Sequence, residues 1–136
     1  MTVQIADSIA NAMLDSWESA IGTTPKLRIR TGAPPANVAA ASTGTILVEI
    51  DLPSDWMAAA AARSKAAQGS WVDAAANNPG TAGHYEIVKA DGTTRQEQGT
   101  VTATGGGGDM TIDNVVIAVG QQVTVTSFTR SMPNNA

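Results

Sequence analysis

Apolar side chains recur every four residues near the start of the chain, at Ile5, Ile9, Met13, Trp17 and Ile21, with Leu14 alongside. That spacing predicts an amphipathic helix over 5–21. Asp7 and Asp15 lie off the stripe, and Gly22 follows where a helix end favours glycine. After Pro25 the period drops to two. "KLRIR" (Lys26 to Arg30) alternates charge and aliphatic, and "TILVEIDL" (Thr45 to Leu52) sets Ile46, Val48 and Ile50 against Glu49 and Asp51 until Pro53 ends the strand. "HYEIVK" reads as a strand, Asp91-Gly92 as a tight hairpin turn and "RQEQGTVTAT" as the returning strand. "MTIDNVVIA" and "QQVTVTSFT" complete the pattern. The Ala-rich stretch from Trp56 to Trp71 is open between a short helical turn and an irregular crossover, since alanine favours helix but no large apolar stripe is present.

Six or seven strands at roughly ten-residue spacing point to an all-β sandwich. The expectation is therefore a mainly β fold: an antiparallel, jelly-roll-like β-sandwich with an amphipathic N-terminal helix. Residues 1–24 form the helical docking arm and residues 25–136 the sandwich domain.

The 136-residue length fits one domain. A net charge of −4 argues against free nucleic acid as a partner, because phosphate binding needs clustered Lys and Arg. With no cysteine, neither disulfides nor thiolate metal sites arise. No apolar run reaches the length of a membrane span, and the start of the chain, which lacks a basic segment and carries Asp7, does not read as a signal peptide. Charged residues are only 15% and aromatics 4%, so the surface has few long flexible side chains and is cheap to bury against a partner.

Catalytic chemistry finds little support. The glycine run Gly105 to Gly108 is followed by no Lys and by a strand rather than a helix, so it is not a phosphate loop. Asp109 and Asp113 are too few and too far apart for an EF-hand. The run reads as a flexible surface connection whose backbone visits positive φ. His84, the single histidine, lies on a strand without a nucleophile-elbow motif and reads as structural or surface. Glu49 and Asp51 share a strand face like a hydrolytic pair, but ion pairs across the sheet to Lys26, Arg28 or Arg30 suit them better. Trp17, Trp56, Trp71 and Tyr85 could stack on a sugar. Trp17 fits the helix stripe as core, and Trp56 and Trp71 are candidates for core or interface. No catalytic, cofactor or metal residue is assigned. The interface candidates are Ile9, Met13, Trp17, Trp56 and Trp71.

The stretches "LRIRTGAPPA", "GTILVEIDLPSDW", "GTAGHYEIVKADGTTRQEQGTVTATGGGGDMTIDN" and "AVGQQVTVTSFTRSMPN", with the preceding "NAMLDSW", resemble a group of small tailed-bacteriophage virion proteins. Where that family often has Arg after the aromatic of the "GTAG" strand, this chain has Glu86. The resemblance implies a non-enzymatic capsid decoration or cement protein on the virion surface, assembled in the host cytoplasm. Its implied partners are the major capsid protein and further copies of itself as dimer or trimer, without nucleic acid, membrane or cofactor. The alternative is a tail-associated fibre or adaptor, with or without a carbohydrate-binding role.

Overall fold

A computed structural model describes residues 3–132. Met1 and Thr2 of the expected arm, and Pro133–Ala136, which include the last two residues of the family-like stretch, lie outside the described residues. The chain is mainly β, with one helix and a curled mixed sheet that forms a half-barrel. Helix α1 (Asp7–Ile21) is followed by β1 (Lys26–Thr31), β2 (Ile46–Asp51), β3 (Ser64–Ala66), β4 (Val72–Asp73), β5 (Gly80–Val88), β6 (Arg95–Ala103), β7 (Met110–Ile112), β8 (Val116–Ile117) and β9 (Val123–Ser131). The hydrogen-bonded order is β2-β1-β5-β6-β7-β9-β3, with β4 on β9 and β8 on β5.

The alternation in the sequence sets the register. Leu27 and Ile29 face the core, while Lys26 and Arg28 cross the β1–β2 ladder to Asp51 and Glu49, with N–O distances of 2.5 and 2.7 Å. The Asp91-Gly92 hairpin forms as the sequence predicts. The Asp91 carboxylate accepts from the amides of Thr93 and Thr94, and Lys89 and Thr94 close the turn. One pairing departs from an antiparallel fold: β6 and β7 run parallel, with Val101, Thr102 and Ala103 opposite Met110, Thr111 and Ile112. The glycine run is therefore not a hairpin; it folds the chain back so that β7 re-enters alongside the strand it has just left.

The core fills the inside of the curl. Tyr85 on β5 meets Phe128 on β9 edge to face at 5.5 Å, although β6 and β7 separate those strands in the sheet. Phe128 also touches Trp71 and Trp17, and Trp56 lies between the other two tryptophans. Such tilted aromatic contacts add to the burial of apolar area. The Ala-rich stretch is an irregular crossover carrying β3. Positive φ at Ala62, Arg63 and Gly69 interrupts any helix, and both flanking tryptophans turn inward.

Candidate interaction surface

Helix α1 is not a free arm. Its buried residues are Ala10, Leu14 and Ile21, and its polar side chains serve the crossover beneath it. Asn11 accepts from the amide of Arg63, and Asp15 from that of Ala60. Lys65, buried on β3, places Nζ 2.6 Å from Asp15 and 2.7 Å from Glu18. Burial pushes the Lys65 ammonium down, but these two carboxylates outweigh it and hold the group above its usual range. Asp7 pairs with Arg63 at 3.1 Å. The acidic residues of the helix are thus all engaged inside the molecule.

The expected stripe is split between two faces. Leu14 and Ile21 are buried and Trp17 is half-buried, whereas Ile9 is 52% and Met13 50% exposed. The reason is helical geometry: at about 100° per residue, a step of four overshoots the turn by about 40°, so Ile9 and Ile21 end about 120° apart. Ile9, Ala12, Met13, Ser16 and Ala20 make an uncharged face open to solvent. Of the interface candidates, Ile9 and Met13 are on the surface and Trp17 is on a groove wall. Trp56 and Trp71 are not available to a partner; they belong to the core, with their indole N–H groups on the carbonyls of Gly22 and Gln68. With Tyr85 also 1% exposed, the four rings form a packed cluster rather than a stacking platform for sugar.

Between α1 and the end of β9 runs a groove of about 270 Å³, lined by Met13, Leu14, Trp17, Arg130, Ser131 and Met132. Two of these lining side chains, Trp17 and Arg130, are bonded to buried Glu97, a residue that the polar reading of "RQEQGTV" assigned to no site. Glu97 faces inward because it shares strand parity with Gly99 and Val101. Its carboxylate accepts from the Tyr85 hydroxyl at 2.8 Å, from Trp17 Nε1 at 3.0 Å and from Arg130 Nη2 at 2.6 Å. Burial, with the Glu97 charge beside it, pushes the Tyr85 hydroxyl far above its ordinary value. The Arg130 guanidinium lies 5.6 Å from the centre of the Trp17 ring. Gly99 leaves the slot for Tyr85: a Cβ there would meet the Tyr85 ring at 2.6 Å. The signal in the sequence was Glu-x-Gly-x-Val, one carboxylate on the small-and-apolar face of a strand.

The opposite face of the sheet carries a second buried carboxylate. Glu86 pairs with Arg30 at 2.8 Å and Arg95 at 3.3 Å and accepts from Ser42 Oγ at 2.8 Å. Burial pushes this carboxyl up, but Ser42, Arg30 and Arg95 together hold it below the usual glutamate range. Arg95 also donates to the carbonyls of Val38 and Ala40, and Gln98 to that of Pro35. These bonds pin the Pro- and Ala-rich loop between β1 and β2 over the sheet. Glu86 is the centre of this clasp. His84 is wholly buried beneath the same loop, with Nδ1 2.8 Å from the carbonyl oxygen of Gly32, which fits a structural role.

The glycine run is equally occupied. Asp109 Oδ2 accepts from the amide and hydroxyl of Thr100, and the Gly108 amide donates to Thr102 Oγ1. Gly105 and Gly107 have φ of +84° and +82°. Gly106 and Gly108 have ordinary φ, but a Cβ at either would meet Thr102 atoms at 2.7 and 2.9 Å. The four glycines serve two alternating needs: the positive φ expected of the run at Gly105 and Gly107, and close approach to Thr102 at Gly106 and Gly108. Among the described residues no group of three or more His, Asp or Glu is placed to hold a metal ion, and no helix is long and apolar enough to cross a membrane. Comparison of the chain with known protein families, characterised proteins and solved structures finds no match.

Proposed function

We propose that the protein is a structural virion component, a decoration or cement protein that sits on the capsid surface of a tailed bacteriophage and bridges major capsid subunits. The observation that carries the reading is the resemblance of the chain from Leu27 onwards, and of "NAMLDSW", to small phage virion proteins. The chemistry of the molecule is in keeping with it. Glu86, Glu97 and His84 are engaged in holding loop, sheet and helix together, while the outward face of α1 carries Ile9 and Met13 with no charge beside them. A cement protein acts by burying surface between subunits, which needs a rigid body and an accessible apolar face rather than a reactive centre. No enzymatic activity, cofactor, nucleic acid or membrane enters this reading. The jelly-roll-like sandwich belongs to the same proposal; its support is the single core cluster in which β1, β2 and β5 meet β7 and β9 across the curl.

Quantifying the protein in purified virions tests this. A cement protein is present in numbers comparable to the major capsid protein. A copy number as low as that of a tail appendage would move the chain to the alternative, a fibre or adaptor.

A further inference from the structure

Beneath the Pro- and Ala-rich loop, two buried polar atoms have no partner among the described residues: Nε2 of His84 and Oε1 of Gln98. On the β5–β6 ladder His84 stands opposite Thr100 and Glu86 opposite Gln98, so His84 and Gln98 are a diagonal pair on one face of the sheet. Such pairs lie about 7–8 Å apart at the backbone, within reach of each other for a ring and a long side chain. The second polar atom of each is fixed to the same turn of the loop. His84 Nδ1 lies 2.8 Å from the Gly32 carbonyl oxygen, and Gln98 Nε2 lies 2.7 Å from that of Pro35. The loop rests directly on β5 here: a Cβ at Gly83 would collide with the Gly32 backbone.

The two fixed bonds decide what the remaining atoms are. A carbonyl oxygen only accepts, so Nδ1 carries the ring proton towards Gly32, and Gln98 gives its NH2 group to Pro35. Nε2 of the neutral ring and Oε1 are then both acceptors, and neither can serve the other. The nearby hydroxyls are spent: Ser42 Oγ donates to Glu86, and Thr100 Oγ1 to Asp109. A second proton on the ring would add a buried cation next to Arg30, which is opposite His84 on β1, and close to Arg95 on β6. The one carboxylate on this face of β5, Glu86, is already shared by both arginines, and residues 32–45 of the loop carry no charge. The missing donor is therefore a neutral one with two hydrogens.

We propose that His84 Nε2 and Gln98 Oε1 bind one internal water molecule, which donates a hydrogen bond to each and fastens the loop to β5 and β6. Internal waters join buried polar groups that the chain cannot pair by itself. Two bonds of ordinary length let one water span acceptors about 5–6 Å apart, which suits a diagonal pair. His84 is 0% exposed, so the water exchanges only when the loop lifts, and its residence time reports that opening. The site is independent of the virion role.

The test is NMR of the histidine side chain and of its water contacts, on the full chain at neutral pH. The expected spectra place the His84 proton on Nδ1, leave Nε2 bare, and show a cross-peak between the ring protons and a water held for longer than the protein takes to tumble. Gln98→Met removes Oε1 and should abolish that cross-peak, while the Gly32 carbonyl keeps the proton on Nδ1. A proton on Nε2 overturns the inference, because Nε2 would then donate to Gln98 directly. So does a wild-type ring without a water cross-peak. A cross-peak that survives in Gln98→Met also overturns it, since His84 alone would then hold the water. The two wild-type readings decide the matter even if the variant does not fold.

Discussion

Trp17 and Glu97, 80 residues apart in the chain, are joined by a 3.0 Å hydrogen bond from the indole Nε1 to the carboxylate. This contact ties the N-terminal helix to the middle strand of the sheet, and Tyr85 and Arg130 converge on the same carboxylate. Removing the carboxylate leaves the buried Tyr85 hydroxyl, the half-buried Trp17 indole N–H and Arg130 without this acceptor. Glu97→Ala is expected to cost about 3 kcal/mol in urea unfolding. Glu97→Gln, which keeps an acceptor oxygen, should cost about half as much. Equal losses in the two variants would mean that the negative charge, which both remove, and not the acceptor oxygen, is what Glu97 supplies; a Gln variant as stable as the wild type would point to volume.

The two faces of α1 should respond differently to truncation. Trp17→Ala removes a ring packed on Trp56 at 5.2 Å along with the Glu97 bond, and should cost about 3 kcal/mol. Ile9→Ser lies on the open face and should stay within about 0.5 kcal/mol. Thermal unfolding of both variants checks this. A large loss from Ile9→Ser would place that side chain in the core and remove the exposed stripe.

Glu86 gives the fold an acid limit. Its folded-state pKa is lowered, so the stabilisation is fully present above the unfolded value of about 4.3 and is lost as pH falls through the lower folded value. In Glu86→Gln, urea midpoints should fall less steeply below about pH 4.3 than in the wild type. At neutral pH the same variant should cost about 3 kcal/mol, because Arg30 and Arg95 lose their charge partner. Parallel pH profiles for the two proteins would contradict the clasp.

Tyr85 sets the alkaline limit by the opposite sign. Its folded pKa is raised, so stability holds below the unfolded value of about 10 and declines above it, by up to about 1.4 kcal/mol per pH unit. Tyr85→Phe should remove that part of the decline, as read from melting temperatures above pH 10.

In the glycine run, single alanines should be costly at all four positions. Gly105→Ala and Gly107→Ala should each cost about 1 kcal/mol through left-handed backbone. Gly106→Ala and Gly108→Ala should cost about 1–3 kcal/mol through collision with Thr102. Denaturant titration of the four variants tests the pattern. Neutral substitutions at 106 and 108 would show that Thr102 is not in the way. Calorimetry with calcium or nucleotide should show no binding tighter than millimolar, since Asp109 is engaged with Thr100.

Local periodicity was a good guide where one face of an element meets solvent. The β1–β2 ladder, its ion pairs and the Asp91-Gly92 turn were legible for that reason. It failed where both faces are covered. His84 to Val88 are buried without a break, because the core lies on one side and the pinned loop on the other. Glu97 was hidden in a polar run, since nothing in "RQEQGTV" shows which parity points inward until Gly99 is seen to make room for Tyr85. The helix was legible, but not its buried side: spacing by four looks like a stripe and drifts around the axis. The parallel return of β7 depends on where Gly106 and Gly108 let the chain cross Thr102, a three-dimensional contact with no local signature.

In the proposed role the protein strengthens a phage shell by binding it. The most direct measurement is to add the purified chain to shells assembled without it and to follow binding and shell melting together. A cement protein should saturate at a fixed ratio to the major capsid protein and raise the melting temperature of the shell. Shells that leave the protein in solution, or bind it and melt where they did before, would rule out a cement role.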